Sequence, residues 1–124
     1  MKESDPECRK YLKHLARIAQ DDVDGLDRAS EKYGCSWKKR GGVGAFFNFC
    51  RKWDRLEIRM QEPHPTAAPY DILARAADDP DVEGIIDDVR DLRRYLLLVE
   101  AELRAMGCSC AEAAHRDNQE ASNE

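Results

Sequence analysis

Residues 79–99, Asp79-Pro80-Asp81-Val82-Glu83-Gly84-Ile85-Ile86-Asp87-Asp88-Val89-Arg90-Asp91-Leu92-Arg93-Arg94-Tyr95-Leu96-Leu97-Leu98-Val99, decide the fold class. Asp79-Pro80-Asp81 is a helix start: an aspartate caps free N–H groups, and proline fits the first turn, where its missing N–H costs nothing. Val82, Ile85, Ile86, Val89, Leu92, Leu96, Val99 and Leu103 then recur at threes and fours, which predicts an amphipathic helix over 80–106 closed by Gly107. Ser4-Asp5-Pro6 repeats the start signal. Leu12, Leu15, Ile18, Ala19, Val23, Leu26, Ala29 and Tyr33 extend it into a helix over 6–33 that Gly34 ends, with Asp21-Asp22 and Gly25 as points of interruption. A third stripe, Phe46, Phe49, Cys50, Trp53, Leu56 and Met60, predicts a helix over 44–61, ended by Pro63-His64-Pro65. A short helix is expected around 70–77.

No run alternates with period two for long enough to make a strand. The fold class is therefore all-α: a small helical bundle of two to three long helices plus one short helix. Helices of this length leave apolar stripes uncovered in a single copy, so completion by oligomerisation, as a homodimer or homotetramer, is expected. The expected domain is 5–107, followed by a disordered acidic tail over 108–124, whose four acids and one arginine sum to -3.

The composition narrows function. The 124 residues carry 20 Lys+Arg against 25 Asp+Glu, a net charge of -5, which argues against nucleic acid as the main partner. No run approaches the ~20 apolar residues of a membrane span, and the first residues hold no hydrophobic signal core, so a cytoplasmic location is expected. Five cysteines in no regular framework read as reduced thiols. Cys108-Ser109-Cys110 is too tight for a zinc pair. No serine or cysteine stands in a pattern that makes a nucleophilic triad with His14 or His64.

Two acidic pairs carry the most chemistry. Asp54 and Glu57 are three apart, as are Asp88 and Asp91, so each pair shares a helix face. Both pairs border an apolar stripe, and antiparallel packing of their helices would bring them together. Four carboxylates at a core edge repel one another unless arginines or a hard divalent cation neutralise them. An all-oxygen set selects Mg²⁺ or Mn²⁺. The two readings, a metal site and a solvated salt-bridged face, both stand on spacing alone. Lys38-Lys39-Arg40-Gly41-Gly42-Val43-Gly44 places three cations before a helix N-terminus, a setting that attracts anions, although no GK[ST] follows to make a P-loop. Trp37 and Tyr33 beside it can stack on a base or cover the bundle end. Lys52 and Arg55 can contact phosphate or pair with acids one turn away, and Tyr95 stands one turn beyond Asp91.

Tyr33-Gly34, Ser36-Trp37, Arg40-Gly41-Gly42-Val43-Gly44-Ala45-Phe46, Arg51-Lys52-Trp53-Asp54-Arg55-Leu56-Glu57 and Asp87–Leu98 resemble a phage-associated family related to the MazG-like all-α nucleotide pyrophosphohydrolases, also labelled nucleotide-modification-associated domains. The resemblance covers roughly residues 10–105. It implies that Asp54 and Glu57 stand for the first acidic pair of that family and Asp88 and Asp91 for the second, with Asp87 in reserve, all as Mg²⁺ ligands. Two of the family's glutamates are aspartates here, one methylene shorter. The implied activity is Mg²⁺-dependent hydrolysis of a nucleoside triphosphate to monophosphate and pyrophosphate, in the host cytoplasm for a phage protein. The implied phosphate and base contacts are Trp37, Lys38, Lys39, Arg40, Lys52, Arg55 and Tyr95, with Tyr33, Phe47 and Trp53 as further walls. The alternatives are a non-catalytic protein that binds or sequesters a nucleotide, and a helical protein that binds and inhibits a host factor.

Overall fold

A computed structural model describes residues 5–123, with side chains described for 5–107. Four α-helices, joined by one 3₁₀ turn and loops, account for the fold, and no strand occurs among the described residues. They are α1 (Pro6–Tyr33), α2 (Gly41–Gln61), α3 (Ile72–Asp78) and α4 (Val82–Asn123), with the 3₁₀ turn at Ser36–Lys38. The all-α expectation holds. No described helix is long and apolar enough to cross a membrane. The chain divides into two compact units, Met1–Ser36 and Trp37–Glu124.

The first unit is essentially α1. The Asp5 carboxylate accepts a hydrogen bond from the Glu7 N–H at 2.9 Å, and Pro6 occupies the first helical position. The helix passes Asp21, Asp22 and Gly25 without the interruption the sequence allowed. It stops at Gly34, whose φ of 59° favours glycine and whose N–H donates to the Ser30 carbonyl at 2.8 Å.

The second unit is built on α2 and α4. Lys38 meets Glu102, Lys52 meets Asp91, and Arg59 meets Asp88 and Asp81, so the two helices run antiparallel. Leu56, Met60 and Ile85 form the core, with Ile72, Ala76, Val89 and Leu92 packed against it. This core lies at the end of α2 that leads into α3. The opposite end is open: Phe46, Leu96 and Leu103 belong to the predicted stripes yet remain exposed. The helix α2 begins at Gly41, three residues ahead of the predicted start, so three of the loop glycines belong to the helix itself. The helix α4 continues through Gly107, where a stop was expected. Glycine inside a helix costs about 1 kcal/mol relative to alanine, a penalty that does not by itself end one. The expectations for the tail and for Cys108 and Cys110 lie outside the described side chains.

The loop between α2 and α3 is tightly organised. His64 Nδ1 accepts from the backbone N–H groups of Thr66 (3.2 Å) and Ala67 (2.9 Å), which gives this histidine a structural role. Tyr70 adopts φ 67°, unusual for an aromatic residue, held by its N–H on the Met60 carbonyl and by Gln61 on its hydroxyl. Arg75 is buried and donates to the carbonyls of Met60 and Glu62, two acceptors that a helix C-terminus leaves without helical partners. Arg75→Met leaves the Glu62 carbonyl without this partner and the Met60 carbonyl with the Tyr70 N–H alone, with an expected loss of about 1–3 kcal/mol of unfolding free energy in urea denaturation; a change under about 0.5 kcal/mol would contradict this capping role.

Candidate functional site

Position around α2 sorts its charged residues. Leu56 and Met60 mark the buried face. Lys52 and Arg59, seven residues apart, lie along one flank of it and reach α4. The Arg59 guanidinium donates from Nε to Asp88 Oδ2 at 2.9 Å and from Nη1 to Asp81 Oδ2 at 2.7 Å. Those hydrogen bonds, first to Asp81 and then to Asp88, raise the Arg59 pKa against the opposing effect of burial. Lys52 Nζ lies 3.6 Å from Asp91 Oδ2 and 5.7 Å from the centre of the Tyr95 ring. The acidic pair of α4 is therefore neutralised by cations of α2. Asp88 is buried (5% exposed), and a carboxylate there needs such a partner.

Asp54 and Glu57 point elsewhere. Glu57 lies on the other flank, where its carboxylate accepts from Trp53 Nε1 at 3.0 Å and from Gln61 Nε2 at 3.4 Å, both neutral donors. Asp54 is exposed on the side of α2 away from the core. The structure therefore does not bring the four predicted carboxylates together, and no group of three or more potential metal ligands occurs among the described residues. The physical reason is angular. At 100° per residue, Asp54 and Glu57 fall about half a turn from Lys52 and Arg59, and the latter two take the face toward α4.

Around Asp54 is a shallow cavity of about 380 Å³ lined by Arg51, Lys52, Asp54, Arg55 and Ile58. Arg51, Asp54 and Arg55 make no hydrogen bond or ion pair among the described residues. Two free guanidinium groups one turn apart, beside a free carboxylate, suit an anion that carries a divalent cation. Arg51 was not among the predicted contacts, although its spacing of four from Arg55 places both on one face. Arg59 was also missed, and its spacing of seven from Lys52 was the corresponding signal.

The remaining predicted contacts gather at the other end of α2. A cavity of about 500 Å³ is lined by Trp37, Phe46, Phe49, Val99, Leu103 and Met106, among others, with Lys38 and Glu102 paired at 3.0 Å on its wall. The Trp37 carbonyl accepts from Asn48 Nδ2 at 3.0 Å, which ties the turn to α2. Lys39 and Arg40 are exposed. Arg40 is the residue before α2, and Gly41 takes φ 74°, a conformation that an L side chain would strain. Phe47 and Trp53 are exposed, so neither walls an enclosed pocket. Phe46 and Asp54 are eight residues apart on α2, about 12 Å along the axis.

No known protein family, curated protein or solved structure matches the chain.

The two acidic pairs differ in a measurable way. Asp88→Asn removes the charge that Arg59 faces in a buried setting, with an expected loss of about 1–3 kcal/mol of stability. Asp54→Asn changes stability by less than about 0.5 kcal/mol. Guanidinium denaturation of both variants checks this, and equal effects would contradict the division of roles.

Proposed function

We propose that the chain is a nucleotide-directed protein that uses the Asp54–Glu57 face of α2 for Mg²⁺-dependent hydrolysis of a nucleoside triphosphate to monophosphate and pyrophosphate. The observation that carries this reading is the unpaired Arg51–Asp54–Arg55 cluster lining one cavity. The resemblance of Arg51–Glu57 to the MazG-like runs supports it independently. The residues present fit Mg²⁺ in one respect: this ion characteristically takes one or two carboxylates plus substrate phosphates and waters, so a preformed cage of four acids is not required. Asp54 would hold it together with the substrate phosphates, leaving Glu57 as a base, and when bound it would supply a polarised water and neutralise charge on the phosphates.

In this reading the protein's own groups divide the remaining work. Arg51 and Arg55 hold phosphate oxygens through charge-assisted hydrogen bonds. Lys52 adds positive charge from the edge of the cavity while it stays on Asp91. Glu57, oriented by the Trp53 indole N–H, takes the proton of the attacking water. Water adds to phosphorus as the α–β bridging P–O bond breaks, and the pyrophosphate leaves.

A second reading, a helical protein that binds a partner or a nucleotide without hydrolysing it, is favoured by the exposed apolar end of the second unit, where Phe46, Phe47, Leu103 and Met106 are each more than half exposed.

Incubation of the pure protein with each common ribo- and deoxyribonucleoside triphosphate, with and without Mg²⁺, separates these readings. The expected result is metal-dependent release of pyrophosphate from at least one substrate, reduced about 10²-fold or more in kcat/KM by Arg51→Ala or Asp54→Asn. Full activity in Asp54→Asn would place the site elsewhere. No turnover across the panel would favour the second reading.

A further inference from the structure

The first half of α1 is uncovered on every side. All residues from 5 to 21 are exposed, Tyr11 at 55% and Leu15 at 52%, and burial begins only at Asp22. At 100° per residue, Cys8, Tyr11, Leu12, Leu15, Ile18 and Ala19 fall within one arc of about 120°. A stripe of that width is the face a helix normally buries. Left in water as a contiguous apolar surface, it marks an interaction site.

The charge of the same segment is one-sided. Residues 6–20 hold one acid (Glu7) and four bases (Arg9, Lys10, Lys13, Arg17), a net of +3. The four bases occupy a second arc of about 100°, on the opposite side of the helix from the apolar one. Glu7 is paired with Lys10 at 3.2 Å. The side chains of Arg9, Lys13 and Arg17 make no ion pair or hydrogen bond among the described residues. The pattern ends abruptly: residues 21–33 hold five acids (Asp21, Asp22, Asp24, Asp27, Glu31) and two bases (Arg28, Lys32), a net of -3.

We infer that residues 6–20 of α1 lie in the surface of an anionic bilayer, with the apolar arc toward the acyl chains and the basic arc among the headgroups. A helix is about 10 Å across, and one lying in the interface sinks its apolar face about 5–10 Å, so lipid phosphates surround its flanks and its polar face. Such a surface engages both arcs at once. A nucleic acid would meet the basic arc and leave the apolar arc in water. An apolar protein groove would cover the apolar arc and leave the four bases without a counter-charge. Tyr11, near the edge of the apolar arc, carries a ring with a polar tip, the kind of side chain that favours the headgroup level. Asp21, Asp22 and Asp24 set the end of the contact near residue 20, because anionic headgroups repel them. The segment rests on the bilayer without crossing it, and none of its residues belongs to the proposed nucleotide site on α2.

Two exposed thiols serve as native reporters: Cys8 lies within the apolar arc, and Cys35 lies outside the segment. The test is co-sedimentation of the full chain with phosphatidylcholine vesicles, with and without an added third of phosphatidylserine. Alkylation by a water-soluble maleimide, mapped by peptide mass, is followed on the same samples. The expected results are binding to the anionic vesicles, weaker binding to the neutral ones, and slower alkylation of Cys8 but not of Cys35 on the bound protein. Raising salt from about 0.1 M to about 1 M shortens the Debye length from ~10 Å to ~3 Å and should weaken the binding. Lys13→Glu with Arg17→Glu should lower the partition coefficient about tenfold or more. Leu15→Ser with Ile18→Ser should do the same through the apolar arc. The Cys8 readout needs no variant, so a variant that failed to fold would not decide the outcome. No binding to anionic vesicles would assign the apolar arc to a partner protein and overturn the inference. Equal protection of Cys8 and Cys35, or binding that salt and the charge reversals leave unchanged, would also overturn it.

Discussion

The Arg59 guanidinium, held between Asp81 and Asp88, fixes how α2 lies on α4. Its two hydrogen bonds reach Asp81, just ahead of α4, and Asp88, about two turns into that helix, and Asp79 accepts from the Asp81 N–H at 2.8 Å. Directly beside it are Leu56, Met60 and Ile85, the core of the second unit. A core this small supplies limited hydrophobic stabilisation and leaves many sliding and rotational alternatives. A charged fork reaching a buried carboxylate is selective in a way that an apolar contact is not, because a shift of α2 would leave Asp88 buried without a counter-charge.

That constraint determines which acids face which cations. With Arg59 on Asp88, helical geometry carries Lys52 to Asp91 two turns earlier and turns Arg51, Asp54 and Arg55 away from the core. The two acidic pairs have the same spacing in the sequence and different electrostatic settings in the fold. One pair is neutralised by the protein. The other faces either solvent or neutral donors and, in the proposed function, takes its cation with the substrate.

The three long helices were legible because each has an explicit start or stop: Asp5-Pro6 and Gly34 for α1, Pro63 for α2 and Asp79-Pro80 for α4. Their faces were legible only in part. The periodicity of Phe46, Leu96 and Leu103 matches the stripe that includes Leu56 and Ile85, yet only one end of that stripe is buried. A repeat of three and four records which residues share a face and carries no information on whether another helix covers it. The convergence of Asp54, Glu57, Asp88 and Asp91 failed for a related reason. Spacing within each pair is a local property, whereas the angle between pairs depends on which α2 residues, here Lys52 and Arg59, are drawn toward α4. Arg75 and Tyr70, which organise the loop after α2, had no signal in any periodicity, because their partners are backbone carbonyls and Gln61 at the last position of α2.

Calorimetric titration with Mg²⁺ tests this division of charge most directly, performed in the absence and in the presence of a non-hydrolysable nucleoside triphosphate analogue for each base. With α4's acids neutralised by Lys52 and Arg59, Mg²⁺ alone should show no site tighter than roughly millimolar, and analogue binding should require Mg²⁺. Tight Mg²⁺ binding without nucleotide that disappears in Asp88→Asn or Asp91→Asn would contradict the account and return the four carboxylates to a single preformed site.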